Sequence, residues 1–217
     1  MTRRLAILTM ALGLGLFGTS TTTVSADDSS GWVSLFDGKT LSGWESVPLR
    51  AGNSAKWEVK DGALTGTGDA SMLYSPKGTY QNFRFRAEIK INDGGNSGMY
   101  VRCPAKKASF SEGYEIQINS SHRDPIKTGS VYTMVHVYKQ LVPPGEWFTQ
   151  EVEVVTKNYR GKTIPHLKVS VNGDLLYECL DHSNQFPGAG HFAFQGHDPG
   201  SVVQVRKVEV MELPPTK

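Results

Sequence analysis

The chain has 217 residues, with 23 basic and 21 acidic side chains and a formal net charge of +2. A chain this close to neutral, without a run of basic residues, lacks the electrostatic footprint of a nucleic-acid-binding protein, so we expect no nucleic-acid partner. Its length is sufficient for one domain with a substantial hydrophobic core.

The first residues have the pattern of an export signal. Arg3 and Arg4 precede an apolar run at residues 5–17, which is too short to span a bilayer comfortably. Residues 24–26 then fit the small-x-small pattern of a cleavage site. We therefore expect a signal peptide over residues 1–26 and an exported protein, periplasmic or secreted, with no stable membrane association after cleavage. An uncleaved membrane anchor is the alternative.

The rest of the chain has the pattern of β-strands. Residues 80–93 show the longest alternation, with apolar side chains at every second position from Phe83 to Ile91. Asn172-Gly173 is a strong hairpin signal, because both positions of the turn tolerate positive φ. Further strands are predicted at residues 32–36, 57–60, 71–74, 97–103, 113–119, 130–134, 147–156, 166–171, 174–179, 191–195 and 201–211.

Many short strands separated by polar turns, with no helical period, indicate an all-β antiparallel sandwich or jelly roll. We expect a single domain over residues 27–212, followed by a tail at 213–217. Cys103 and Cys179 allow either one disulfide or two buried thiols, and they give no support to a structural zinc site. The tryptophans expected in the core rather than on a sugar-binding platform are Trp44, Trp57 and Trp147.

The segment at residues 113–119 carries the clearest functional pattern. In an extended strand, Glu115, Gln117 and Asn119 fall on one face and the apolar residues between them on the other. A carboxylate and two amides in a row predict the floor of a polar groove. Sugars bind such floors because their many hydroxyls need directional hydrogen-bond partners.

The preceding strand, residues 97–103, repeats this pattern. Tyr100 and Arg102 alternate with apolar side chains, which predicts that both face the same side of the sheet. Arg102 and Glu115 then have two interpretations. They belong to one functional site, or they form a structural ion pair across neighbouring strands.

An ordered set of short motifs covers nearly all of the chain after residue 26. They are WVSLFDGKTLSGW at 32–44, WEVKDGAL at 57–64, NSG at 96–98 with Arg102, GYEIQ at 113–117, TGSVY at 128–132, GEW at 145–147, NG at 172–173 and GHFAFQGH at 190–197. Each is weak alone, but the ordered set resembles the family of 3-keto-disaccharide hydrolases, a former domain of unknown function. The resemblance implies a concanavalin A-like lectin/glucanase jelly roll.

The resemblance also implies an enzyme that cleaves glycosides of 3-keto sugars. A ketone at C3 acidifies the C2 proton, so one base can start an elimination at C1 that is followed by hydration. Glu115 or His197 is the expected base, and Arg102 is the expected stabiliser of the keto oxygen. The residues expected to bind sugar hydroxyls are Asn96, Tyr100, Gln117, Tyr132 and Gln195.

A divalent metal ion held by a subset of Glu115, His191 and His197 is considered as a replacement for Arg102 or an aid to it. The family commonly has an acid where this chain has Asn119 and Ser120, which weakens the transfer of a metal site. No organic cofactor is expected. Two other functions stay open: a lectin-like module without chemistry, and a conventional glycosidase, whose second carboxylate would come from a loop residue, Asp124 or Asp198.

Overall fold

The structure is a computed structural model that describes residues 31–215, so the expected signal peptide lies outside the described residues. This part of the chain contains thirteen strands, and none of its residues lies in a helix that could cross a membrane. The strands are β1 (Val33–Ser34), β2 (Glu45–Pro48), β3 (Lys56–Lys60), β4 (Ala63–Thr67), β5 (Ser71–Tyr74), β6 (Phe83–Ile91), β7 (Ser97–Cys103), β8 (Tyr114–Ile118), β9 (Phe148–Tyr159), β10 (Lys162–Val171), β11 (Asp174–Leu180), β12 (His191–Gly196) and β13 (Val203–Glu212).

The strands form two antiparallel sheets. The eight-stranded sheet has the order β11-β10-β9-β6-β13-β4-β3, with β1 paired to β13. The five-stranded sheet has the order β2-β5-β12-β7-β8. The predicted all-β antiparallel class is therefore confirmed.

The core lies between the sheets and follows from the alternation in the sequence. Phe83 and Phe85 of β6 are fully buried, and the Phe85 ring stacks on Phe192 of β12 with centroids 3.9 Å apart. Between them, Arg84 points outward and pairs with Glu151 of β9 at 2.6 Å. This division of apolar and charged side chains determines which face of the large sheet meets the small one.

Two of the three tryptophans are in the core as predicted. Trp44 and Trp57 belong to the main cluster between the sheets. The prediction for Trp147 is wrong, because its ring lies on the outer face of the large sheet, where the guanidinium of Arg206 stacks over it at 4.1 Å. The two side chains form a cation–π contact on this face.

One strand prediction is wrong, and two strands, β4 and β2, were not predicted. Residues 130–134 are not a strand, because Val131 forms only isolated bridges and the chain turns at Thr133, where φ is 71°. β4 lacks alternation because residues on both of its faces are buried, and its Gly66 lies against the Trp57 ring. β2 is an edge strand that ends in proline, which a central strand would not accommodate.

A bulge interrupts β7 at Arg102. Its φ is 55°, and the pairing with β12 shifts so that His191 faces Cys103 while Ala193 faces Tyr100. One extra residue on β7 reverses the alternation. Cys103 therefore joins Tyr100 in a small apolar cluster on the outer face of the small sheet, and Arg102 turns away from that face.

The two cysteines are both free thiols, so the disulfide alternative is wrong. Cys103 is fully buried beneath the outer face of the small sheet. Cys179 is partly buried and packs against the main core. The two thiols thus belong to different clusters.

Candidate active site

A cavity of about 340 Å³ lies over the outer face of the small sheet, across β12, β7 and β8. This volume is typical of a small-molecule site. Its strands and loops supply one set of convergent polar side chains, which are Asn96, Glu115, Gln117, Asp124, Tyr132, Gln195 and His197. Phe110 and Phe186 add aromatic surface. The sequence prediction of a polar floor on β8 is correct for Glu115 and Gln117.

Glu115 is the carboxylate at the centre of this wall. Its side chain leans over Gly98 on the neighbouring strand, in the space that a Cβ there would occupy. Burial raises the pKa of Glu115 to about 7, a hydrogen bond from Tyr100 opposes the shift, and the charge of Asp124 adds to it. A carboxyl group with this pKa exchanges protons near neutral pH, as a general base must.

Two amides on the cavity wall have buried oxygens with no hydrogen-bond partner among the described residues. These atoms are Oδ1 of Asn96 and Oε1 of Gln195. Gln195 is held in place because its Nε2 donates to the Tyr100 hydroxyl at 3.1 Å. A buried acceptor without a partner costs about 1–3 kcal/mol, which a ligand hydroxyl would recover.

His197 follows β12 and is fixed by its neighbours. Its Nδ1 lies 2.6 Å from Oδ2 of Asp198, and its ring stacks on Phe110 at 6.0 Å and meets His122 edge-on at 5.7 Å. Burial raises the pKa of Asp198, but hydrogen bonds from His197 and the Gly200 amide outweigh it and hold that pKa below its usual value. With Nδ1 engaged by Asp198, Nε2 is the ring nitrogen available to a ligand.

The loop after β8 brings Asp124 and Tyr132 to the cavity. The Tyr132 hydroxyl donates to Oδ2 of Asp124 at 3.4 Å. Asn119 was predicted on the groove floor, but it organises this loop instead: its Nδ2 donates to the carbonyls of Asp124 and Ile126 at 3.0 and 2.7 Å. The side-chain amide of Asn119, which the alternation predicted to face the ligand, therefore stabilises this loop instead.

Arg102 does not reach the cavity, which corrects its predicted place beside Glu115. The bulge in β7 directs its side chain between the two sheets, where it is fully buried. The guanidinium donates to the carbonyls of Gln81 and Phe186 and to Oγ1 of Thr156, at 2.6–3.1 Å. Arg102 therefore joins the small sheet to β9 of the large one.

Tyr100 also lies outside the cavity lining, although it was predicted to bind substrate. It is fully buried beneath the site, and its single hydroxyl proton has two acceptors within reach, the Phe110 carbonyl at 3.1 Å and the Glu115 carboxylate. Burial raises its pKa well above the usual value, so it stays protonated. Tyr100 contacts Glu115 and Gln195 and thereby positions these two residues of the cavity wall.

The predicted metal set is not brought together. Nδ1 of His191 lies 3.0 Å from the carbonyl oxygen of Ser75, and its ring packs against Gly78, outside the cavity that holds Glu115 and His197. Across residues 31–215 there is no group of three His, Cys, Asp or Glu side chains that could hold a metal ion. The donors present do not fit a metal centre, and no step below passes through one.

Residues 31–211 match the family profile of the 3-keto-alpha-glucoside-1,2-lyase-like domain. The chain belongs to this family. A curated relative, the 3-keto-disaccharide hydrolase of Bacteroides thetaiotaomicron, is 25% identical over 243 aligned residues, which cover 86% of this chain and 80% of the relative. The resemblance predicted from the motifs is thus confirmed, and the protein is a carbohydrate-active enzyme.

Solved structures share the jelly-roll fold. A Parabacteroides distasonis protein described as a glycosyl hydrolase superposes with a TM-score of 0.66 at 23% identity, covering 84% of this chain and 99% of that one. The exoplasmic/lumenal domain of VIP36, solved with Ca²⁺ and Man3GlcNAc, superposes with a TM-score of 0.54 at 10% identity, covering 85% and 90%. The predicted lectin/glucanase-like jelly roll is confirmed.

Proposed function

We propose that this enzyme cleaves glycosides of 3-keto sugars, with Glu115 as the base that removes the C2 proton. The observation that carries the proposal is the carboxylate of Glu115 in a polar cavity with a pKa of about 7. The relative from Bacteroides thetaiotaomicron is a 3-keto-disaccharide hydrolase, which supports the substrate class. The pattern of residues 1–26 adds the proposal that the enzyme acts after export.

The reaction needs one base and one acid. Glu115 takes the C2 proton, and the C–H electron pair forms an enediolate with the C3 ketone. The C1–O bond then breaks, and the leaving oxygen takes a proton from Nε2 of His197, whose Nδ1 is held by Asp198. Water adds to the unsaturated keto sugar in reverse: C1 receives hydroxide, His197 recovers its proton, and C2 receives the proton from Glu115.

Amide donors stabilise the negative charge on the keto oxygen in this mechanism, because Arg102 lies outside the cavity. Gln117 keeps its Nε2 for a ligand, since its Oε1 accepts from the Ile118 amide at 3.2 Å. Asn96 stands on the same wall with its side chain almost completely buried. Pre-positioned donors in such a site stabilise developing charge without reorganisation.

A conventional two-carboxylate glycosidase is the second candidate, because Asp124 lines the same cavity as Glu115. That mechanism requires one carboxyl group as acid and the other as base or nucleophile. It needs no ketone in the substrate. The two candidates therefore differ in the substrates they accept.

The deciding experiment compares a 3-keto glycoside with its unoxidised parent glycoside. We expect release of the leaving group from the keto substrate only, and loss of that release in Glu115→Gln. Glu58→Gln, at a surface carboxylate of β3, is the matched control and keeps wild-type rates. Cleavage of the unoxidised parent would favour the two-carboxylate mechanism, and wild-type rates in Glu115→Gln would remove Glu115 from the chemistry.

A further inference from the structure

A second cavity, of about 350 Å³, lies beside the first, and His197 lines both. The second cavity is formed by the residues just before β5, the segment after β2 and the loop after β12. Its other lining residues are Leu49, Arg50, Asn53, Asp69, Ala70, Asp198 and Pro199. His197 therefore stands at the border between two spaces that a single ligand could occupy together.

Sheet topology explains why the two cavities are neighbours. The small sheet runs β2-β5-β12-β7-β8, so β12 is its central strand. The first cavity covers β12, β7 and β8, whereas the second lies at the end of β2, β5 and β12. There the Leu49 amide donates to the Ala70 carbonyl at 2.9 Å, and Gly196 pairs with Ser71. His197, which lines both cavities, directly follows β12, so the two cavities meet at the end of this central strand.

The second cavity differs chemically from the first, because its polar side chains are already engaged. Asn53 donates to the Ala70 carbonyl at 2.9 Å and accepts from the Ala55 amide at 3.1 Å. Oδ2 of Asp69 accepts from the amide and the hydroxyl of Ser54, both at 2.8 Å. These bonds hold the loop together and leave few groups to recognise sugar hydroxyls.

Besides the carboxylates of Asp69 and Asp198, of which Asp69 interacts electrostatically with Arg50, the lining of the second cavity is apolar. Leu49, Ala70 and Pro199 supply the apolar wall, and Arg50 supplies a guanidinium beside it. Aromatic rings pack well on both kinds of surface, because a guanidinium stacks on a ring face. A second pyranose would leave most of its hydroxyls without protein partners here.

We infer that the second cavity is the leaving-group subsite and that it takes an apolar or aromatic aglycone rather than a second sugar. The inference rests on the proposed function, because it assigns the first cavity to the keto sugar. The glycosidic oxygen then lies at the border, next to Nε2 of His197, which donates the proton to it. The natural substrate class is a 3-keto glycoside of an apolar alcohol.

The test uses benzyl and methyl 3-keto-glucosides, whose leaving alcohols have similar acidity, so their difference reports binding of the aglycone. We expect the benzyl-to-methyl ratio of kcat/KM to be about tenfold or more in the wild type and to fall about tenfold in Leu49→Ser. The ratio is independent of the fraction of folded enzyme. Leu175→Ser, at an exposed leucine of β11, is the control and keeps the wild-type ratio.

The outcomes separate the two proposals. Turnover of both substrates with the same ratio in Leu49→Ser and wild type overturns the subsite, while the proposed function stands. Absence of turnover overturns the proposed function, and calorimetric binding of the benzyl compound then decides the subsite. Weaker binding to Leu49→Ser than to wild type supports the assignment, and equal binding overturns it.

Discussion

The carboxylate of Glu115 occupies the space above Gly98. A Cβ at Gly98 would stand 2.5 Å from Oε1 of Glu115 and 2.7 Å from the ring of Tyr100, closer than real Cβ atoms come to such neighbours. Gly98 pairs with Gln117 on β8, so the glycine lies at the centre of the polar wall. The missing side chain at this position is what allows the base to lie flat against the sheet.

Gly98→Ala is therefore expected to displace Glu115 and lower kcat/KM about 100-fold, since a shift of about 1 Å in a catalytic group has this effect. Steady-state kinetics on the keto substrate measure it. Gly188→Ala is the matched control, because Gly188 is exposed, has no positive φ and has nothing within 4 Å of an added Cβ. Wild-type kinetics in Gly98→Ala would show that the position of Glu115 is not critical.

The alternation in the sequence predicted strands that have one buried and one exposed face. It missed strands that are buried on both faces. β6 was found because Phe83 is buried and Arg84 exposed, and the pattern continues along the strand. β4 was missed because burial on both faces removes the alternation. Glu115 was placed correctly because β8 has no bulge, so the period of two continues from Tyr114 to Gln117.

The errors at the site have one cause, which is local geometry that residue types do not reveal. Positive φ at Arg102 gives no sequence signal, because arginine is not a residue that favours it. The resulting bulge exchanged the faces of Arg102 and Cys103. Asp124 was recognised only as a possible second acid, since a loop residue reaches the cavity through contacts, such as those of Asn119, that the pattern of alternation does not contain.

The raised pKa of Glu115 makes stability depend on pH in a predictable direction. A glutamate side chain in the unfolded chain has its ordinary pKa of 4.5, and Glu115 in the folded protein has a pKa of about 7. Between these values the native state holds a proton that the unfolded state has lost. The free energy of unfolding therefore falls as pH rises from 4.5 to 7. Above that range Glu115 destabilises the fold by on the order of 1–3 kcal/mol.

Glu115→Gln should consequently be more stable than the wild type at about pH 8 and nearly equal to it at pH 4.5. Urea denaturation at the two pH values measures the difference, and Glu58→Gln, at a surface carboxylate of β3, is the control. A variant that is less stable than the wild type at pH 8 would contradict the raised pKa. The same pKa predicts that the ascending limb of the kcat/KM profile of the wild type has its midpoint near pH 7, because the base must be ionised.

Arg102 is expected to matter for folding more than for chemistry. Burial lowers its pKa to about 10, so it remains charged at neutral pH, and its four hydrogen bonds tie β7 to carbonyls and to Thr156 of β9. Lysine cannot reproduce this planar set of donors. Arg102→Lys should lower the free energy of unfolding by about 3 kcal/mol, the cost of leaving buried partners unsatisfied.

Urea denaturation and kinetics together test this assignment. Arg160→Lys, at an exposed turn residue, is the control and should change neither. In Arg102→Lys we expect kcat, measured where the protein is folded, to fall by less than about tenfold with an unchanged pH midpoint. Wild-type stability combined with a large loss of kcat would contradict this assignment and would support Arg102 as the group that stabilises the keto oxygen.

Asp124 separates the two candidate mechanisms. Its negative charge is one of the causes that raise the pKa of Glu115, so Asp124→Asn removes a charge that opposes ionisation of the base. In the elimination mechanism turnover persists, and the midpoint of the kcat/KM profile moves to lower pH. In a two-carboxylate glycosidase the same change removes an essential acid or nucleophile, and turnover is lost. The pH profile of Asp124→Asn on the keto substrate therefore distinguishes a neighbour that tunes the base from a partner that shares the chemistry.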